Sequence, residues 1–266
     1  MEEKFKSDVG EIVFWSNFPG LTKACPVQRG IKFLPDYLKD MPQIVDTPDP
    51  FVNIKTLKTC PGIFDLFKNT YVVPLWCDLQ LEIQENGEWR CGAKVPSSLS
   101  NSGWDRNLGQ PTEQWQLFAT HDDRAFKNWI PEPMKSETSL VFKANIPWRC
   151  KTPPGVSVLQ IPLTYNFNPH FTTLPGIIDT DVYYNLNPQM LIHKTGHMVW
   201  KRGTPLAAYM PFRREQFNLT VRDETSEDRL IQKECELQVE TQFRHGYKDL
   251  PREKCPFQKE MDFELE

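Results

Sequence analysis

The sequence predicts an all-β fold: a β-sandwich or jelly-roll-like domain with an extended Pro-rich N-terminal arm and a C-terminal α-helix. Three observations carry this reading. Proline accounts for 23 of 266 residues, well above its usual share of ~5%. A proline inside a helix removes a hydrogen bond and clashes with the preceding turn, so a helical bundle is excluded. Apolar residues also recur with period two in many short runs, and Gly/Pro turn signals separate those runs.

Residues 1–50 read as an N-terminal strand and arm. Ile12-Val13-Phe14-Trp15 is a short apolar strand candidate, and the stretch from Cys25 to Pro50 is broken by prolines. Residues 51–215 read as the β core. It opens with one short helix over 60–68, where Pro61 suits a first turn and Ile63 and Phe67 share a face at i, i+4. YVVPLW and LQLEI then read as strands, with Leu79, Leu81 and Ile83 alternating against Gln80 and Glu82. Asn86-Gly87 is a hairpin signal, because Asn-Gly accepts the positive φ of a tight turn. Residues 95–113 read as a long polar surface loop. WQLFAT, SLVFKANI, VSVLQIP, GIIDTDVYY, QMLIHK, HMVWK and PLAAYMPF follow as strands. Turns are expected at Thr152–Gly155, Lys194–Gly196 and Arg202–Pro205.

Residues 216–266 change character. Ser226 is the expected N-cap, with Glu227 and Asp228 suiting the positive helix end. Ile231, Cys235, Val239 and Phe243 form a stripe of period four, and the helix is expected to end near Gly246. The stripe is expected to pack on the β core or to mediate an oligomer contact.

The net charge is -4. Nucleic-acid affinity rests on neutralising phosphates, so a dedicated nucleic-acid binder is not expected. No apolar run approaches the ~20 residues of a membrane span, and the N-terminus lacks the basic-then-apolar pattern of a signal peptide. The seven cysteines show no CxxC pair. They read as reduced thiols of an intracellular protein, mostly small apolar packers. The sequon at Asn218 is incidental on this reading.

One constellation points to metal chemistry. His121 and Asp123 form an H-x-D at a strand end. His193 and His197 follow on two strands expected to make a hairpin, and Arg202 lies shortly after. Two imidazoles and a carboxylate on one face can hold Fe(II) and leave positions open for oxygen and a co-substrate. Arg202 would then hold the co-substrate carboxylate through charge-assisted hydrogen bonds. This order resembles the 2-oxoglutarate-dependent oxygenases, which use a double-stranded β-helix, and implies Fe(II) and 2-oxoglutarate as cofactors. A second set is Asp179 and Asp181, two apart on one strand face, where like charges require a cation, a basic partner or solvent. The third is the basic turn Trp200–Pro205 leading to Arg213 and Arg214. It faintly resembles the strand-turn-strand of dUTPase-like β-clips. Arg213 and Arg214 are also placed to pair with the acidic C-terminal helix. GxGxxG, GxSxG, HExxH and P-loop motifs are missing from the sequence.

Three longer segments carry a broader resemblance: CPGIFDLFKNTYVVPLWCDLQLEI, WRCKTPPGVSVLQIPLTYNFNPHFTTLPGIIDTDVYYN and LIHKTGHMVWKRGTPLAAYMPFRRE. In this order they resemble a group of uncharacterised proteins encoded by tailed phages, marine cyanophages included. More loosely they are similar to a bacterial domain-of-unknown-function family with a Cys-Pro-hydrophobic start, a TPPG turn and a basic-Gly-x-Pro strand. The resemblance spans about residues 30–215 and the helical C-terminus. It implies a phage or bacterial origin and a β-rich fold, and it brings no activity, catalytic residue or cofactor.

The expected function is therefore a non-enzymatic, phage-encoded accessory or structural protein. It would act through a protein partner, self-association or a ligand, in the host cytoplasm or in the virion. Exposed aromatics on a groove would suit a sugar or a base. The Fe(II)/2-oxoglutarate oxygenase is the alternative, and the β-clip nucleotide enzyme a weaker one.

Overall fold

The computed structural model of the chain describes residues 10–16, 20–49, 53–94 and 118–241. Within them the protein is mostly β, built of several antiparallel sheets with a C-terminal helix. It divides into two compact units. The larger holds residues 11–41 and 64–214, and the smaller holds 1–10, 42–63 and 215–266.

The larger unit contains four sheets. Its five-stranded sheet has the order β13-β11-β16-β5-β2. These strands are β2 (Gln28–Arg29), β5 (Tyr71–Pro74), β11 (Val156–Ile161), β13 (Gly176–Ile178) and β16 (Pro205–Arg213). β16 lies between two neighbours, and Leu206-Ala207-Ala208-Tyr209 is buried without a break. A strand covered on both faces reads as such a continuous apolar run rather than as an alternation. The four-stranded sheet, order β12-β14-β9-β8, comprises β8 (Phe118–Thr120), β9 (Leu140–Ala144), β12 (Phe171–Thr173) and β14 (Gln189–Ile192). The three-stranded sheet, order β15-β6-β7, comprises β6 (Asp78–Ile83), β7 (Trp89–Lys94) and β15 (Gly196–Trp200). β1 (Val13–Ser16) pairs with β10 (Trp148–Lys151), Phe14 opposite Cys150.

One hydrophobic cluster draws on all four sheets. It includes Val73 and Tyr209, Phe142 and Ile192, Leu79 and Trp200, and Trp148. Burying each such side chain stabilises the unit by about 1.5–3 kcal/mol. Leu79, Leu81 and Ile83 enter it while Gln80 stays exposed, as their alternation predicts. The β6–β7 hairpin forms with Ile83 opposite Trp89. Gly87 closes it at φ 85, in the region that favours glycine.

The short helix α3 (Pro61–Lys68) begins at Pro61, with Ile63 and Phe67 each 5% exposed. Residues 25–41 depart from the expected extended arm. They form β2, a 3-10 turn (Gly30–Phe33) and α2 (Asp36–Asp40), with Leu38 fully buried. The prolines there serve as punctuation rather than stiffening: Pro35 immediately precedes α2, where its missing N–H costs nothing. Gly30 allows the closest approach, since a Cβ there would lie 2.3 Å from Thr70 Oγ1 and 2.6 Å from the Phe67 carbonyl oxygen.

The smaller unit contains the hairpin β3 (Ile44–Asp46) and β4 (Asn53–Lys55) and the C-terminal helix α5 (Ser226–Thr241). Thr225, not Ser226, caps this helix. Its hydroxyl accepts from the Asp228 N–H at 3.2 Å while Asp228 Oδ2 accepts from the Thr225 N–H at 2.8 Å, a reciprocal capping box. Leu230, Ile231 and Leu237 are exposed on α5. Phe243, Gly246 and the loop over 95–113 lie outside the described residues. No described helix is long and apolar enough to cross a membrane.

Candidate functional site

A cleft lies in the larger unit, where the chain leaves β11 and returns as β12. It has a volume of about 480 Å³, within the usual range for small-molecule sites. Its wall is the loop from Pro162 to His170, with β12 and the start of β16 completing it. Pro162 and Pro169 bracket the loop, so neither end can extend a β ladder. Between them Thr164–Asn166 makes one 3-10 turn, and Phe167 ends that turn in the left-handed region at φ 44, ψ 50.

A phenylalanine is rarely found there, because its Cβ crowds the carbonyl, at a cost of about 1–2 kcal/mol. The residue is nevertheless 70% exposed, its ring tilted at 36° to that of Tyr37 with centroids 5.9 Å apart. Tyr37 is itself tied down by donating to the Tyr165 carbonyl at 2.9 Å. The loop thus spends strain to hold an aromatic ring in solvent.

Two polar atoms of the wall are buried without a hydrogen-bond partner: Asn166 Oδ1 and His170 Nδ1. Asn166 is oriented by its Nδ2, which donates to the Phe33 carbonyl at 3.3 Å. His170 is fixed through its backbone N–H, donated to Asn168 Oδ1 at 2.9 Å. Burial, with a smaller contribution from the nearby Lys194 charge, holds the His170 imidazole below its ordinary pKa. The neutral ring is therefore favoured. Buried polar atoms left unpaired cost free energy. Thr172 extends the polar wall, its hydroxyl bonded to His193 Nε2 at 2.8 Å.

The residues of the expected iron site do not gather. His121 follows β8, its N–H donated to the Val141 carbonyl at 3.1 Å. His193 follows β14 on the same sheet, but β9 lies between the two positions, about 10 Å of lateral spacing. Asp123 lies in an exposed turn. His197 belongs to a different sheet, opposite Glu82 on β6. The turn at Lys194–Gly196 is thus a corner between sheets, not the hairpin expected. Among the described residues no group of three His, Cys, Asp or Glu side chains is close enough to share a metal ion. Arg202 sits in the exposed turn between β15 and β16, its backbone N–H donated to Asp78 Oδ1 at 2.8 Å. It lies outside the cleft wall.

The acidic pair has a basic partner. Arg214 donates to Asp181 Oδ1 at 2.9 Å, with its second nitrogen on Asp181 Oδ2, and stands 3.1 Å from Asp179 Oδ1. Ser157 donates to Asp179 at 2.6 Å and the Gly155 N–H to Asp181 at 2.9 Å. These bonds hold both carboxyls below their ordinary range. The network ties the end of β16 to the 153–155 turn. The six described cysteines are free. Burial pushes the Cys77 and Cys150 thiols up to about 12, so neither is a nucleophile at neutral pH.

Sequence reasoning missed Asn166, Phe167, His170 and Thr172. They lie inside the second resemblance segment, in Asn166-Phe167-Asn168-Pro169-His170, whose Asn-Pro step signals only a turn. The fold and cleft together define an antiparallel β protein with an uncharged, partly aromatic pocket at the β11–β12 connection. The chain matches no protein-family model and no curated protein.

Proposed function

We propose that the protein is a non-enzymatic, phage-encoded accessory protein whose β domain binds a small ligand in the β11–β12 cleft. One observation carries the proposal: a strained loop presents an exposed ring at Phe167 in the wall of a cleft. Backbone strain held in the wall of a cleft supports a ligand site there. The phage origin rests on the three resembling segments. A sandwich or jelly-roll arrangement of the sheets is part of the same reading, supported by the single hydrophobic cluster to which four sheets contribute.

The test is a fragment screen on the full 15N-labelled chain by amide shift mapping. Hits are expected to cluster at residues 162–173 and 205–206 and to weaken in Phe167→Ala. Hits elsewhere, or none, would overturn the reading.

A second reading, self-association, is favoured by the smaller unit. Among its described residues only Ile63 is buried. Phe217, Leu219 and Val221 alternate along an extended stretch and are 84%, 89% and 85% exposed. This is the period-two pattern of a strand that has not found a sheet, and a second copy of the chain would supply the missing partner. Sedimentation of the full chain tests it: dimers abolished by Leu219→Asp support it, and a monomer at high concentration refutes it.

A further inference from the structure

We infer that residues 216–221 of one copy add as a third strand to the β3–β4 hairpin of a second copy, and the reverse, closing a symmetric strand-exchanged dimer. The inference rests on the self-association reading above and adds the surface that the second copy presents.

The donated stretch has every property of a strand except a partner. Residues 215–225 form no helix and no strand. Among the described residues nothing hydrogen-bonds to Gln216–Val221, so their backbone N–H and C=O groups are open to a new ladder. Phe217, Leu219 and Val221 alternate with Gln216, Asn218 and Thr220, and Glu215 and Arg222 bound this uncharged run. Phenylalanine, valine and threonine fit a pleated, half-buried surface. The run holds no Lys and no Pro, the residues that keep a strand edge from pairing.

The hairpin supplies the matching surface. Val45 stands directly opposite Ile54, so the two side chains share one face, 44% and 55% exposed. The next pair, Asp46 and Asn53, takes the other face. The sheet has two strands among the described residues, so β3 and β4 each keep an open edge. A two-stranded hairpin is marginal in water, and a third strand with an apolar face is what stabilises it. A strand bearing Phe217, Leu219 and Val221 on one side continues the Val45–Ile54 face. Its Gln216, Asn218 and Thr220 continue the polar face with Asp46 and Asn53.

The occupant is a second copy because the chain is self-complementary. It holds a strand without a sheet and a sheet without a third strand, and its own two pieces do not pair. Two copies about a two-fold axis satisfy both needs at once. The area available agrees. Ten large apolar side chains are exposed in the smaller unit. Weighted by those exposures they offer roughly 400–800 Å² per copy, before strand pairing covers any backbone. A stable interface covers about 800 Å² per partner.

The experiment is sedimentation velocity of the full chain over a concentration series, with Leu219→Asp, Ile54→Asp and an equimolar mixture of the two. Both positions are exposed in the single chain, so each variant should keep the parent unfolding transition. The parent is expected to dimerise. Each variant should weaken dimerisation at least about a hundredfold, since a charge enters both exchanged sites. The mixture should dimerise again, because one of its two sites joins an unaltered strand to an unaltered hairpin. If Leu219→Asp is monomeric and Ile54→Asp still dimerises, the hairpin assignment falls and self-association stands. If both variants are monomeric and the mixture is too, the contact joins like with like and the inference falls. Dimers that both variants keep also overturn it. A parent chain that stays monomeric at high concentration removes both readings together.

Discussion

Two phenylalanines four residues apart line the same cleft and should respond oppositely to removal. Phe171 is 5% exposed and packs against Trp200 with centroids 4.6 Å apart. Phe171→Ala leaves a core cavity and should cost about 3–5 kcal/mol. At about 2–4 °C per kcal/mol for a chain of this size, Tm should fall by roughly 6–20 °C. Phe167 is 70% exposed and sits at φ 44. Phe167→Gly releases about 1–2 kcal/mol of left-handed strain. It forfeits about 0.5–1.5 kcal/mol of ring contact with Tyr37 and about 0.5–1 kcal/mol through the greater freedom of the unfolded chain. These contributions nearly cancel, so stability should stay within about 1 kcal/mol of the parent. Urea unfolding of both variants reads the difference directly. A loss above ~2 kcal/mol for Phe167→Gly would show that the ring anchors the fold, and the argument that its strain serves a ligand would fail.

Other perturbations follow from the same geometry. Gly30→Ala places a methyl group against Thr70 Oγ1 and the Phe67 carbonyl; overpacking of about 1–3 kcal/mol is expected in urea unfolding, and an unchanged midpoint would refute the close approach. Tyr209 donates to Gln160 Oε1 at 3.1 Å, and Gln160 Nε2 donates to the Leu174 carbonyl at 2.8 Å. Tyr209→Phe leaves that buried acceptor unpaired and should cost about 1–3 kcal/mol, read as a fall in Tm. His170 has a lowered pKa in the folded chain, so the unfolded chain binds more protons just below pH 6.5. Stability should therefore fall as pH drops from 6.5 through the lower folded value, and His170→Gln should flatten that slope in pH-dependent unfolding. Asp179 and Asp181 have lowered pKa values. Their contribution is present above about pH 3.8 and lost as pH falls through the folded values; Arg214→Gln should shrink this acid limb, leaving the part held by Ser157 and the Gly155 N–H, and an unchanged limb would refute the pairing.

The elements legible in the sequence are those whose signal is local. Asn86-Gly87 specifies a hairpin because both the turn geometry and the flanking alternation lie within a dozen residues. Pro61, Ile63 and Phe67 place α3 for the same reason. The failures occur where the signal is shared by two outcomes. Gly196 adopts φ 91 as a turn glycine should, but a turn between two apolar runs serves a hairpin or a corner equally. Only the pairing of β15 with β6 and of β14 with β9 makes it a corner. That single topological fact separates His193 from His197. β10 escaped notice because WRCK is short and mixed, and its partner β1 lies far away in sequence. Arg214 finds Asp179 and Asp181 more than thirty residues upstream, a pairing no spacing rule expresses. The cleft was hidden for a related reason. An unpaired Oδ1 or Nδ1 is a property of what surrounds a side chain, and the Asn166–His170 stretch has no periodicity to mark it.

The most direct test of the cleft assignment is 15N NMR of the full chain with the strongest binder from the fragment screen. The account predicts that the Asn166 and His170 signals shift as the ligand settles against the cleft wall, while His197, on another sheet, stays unchanged. Saturation that leaves both Asn166 and His170 signals in place would contradict it.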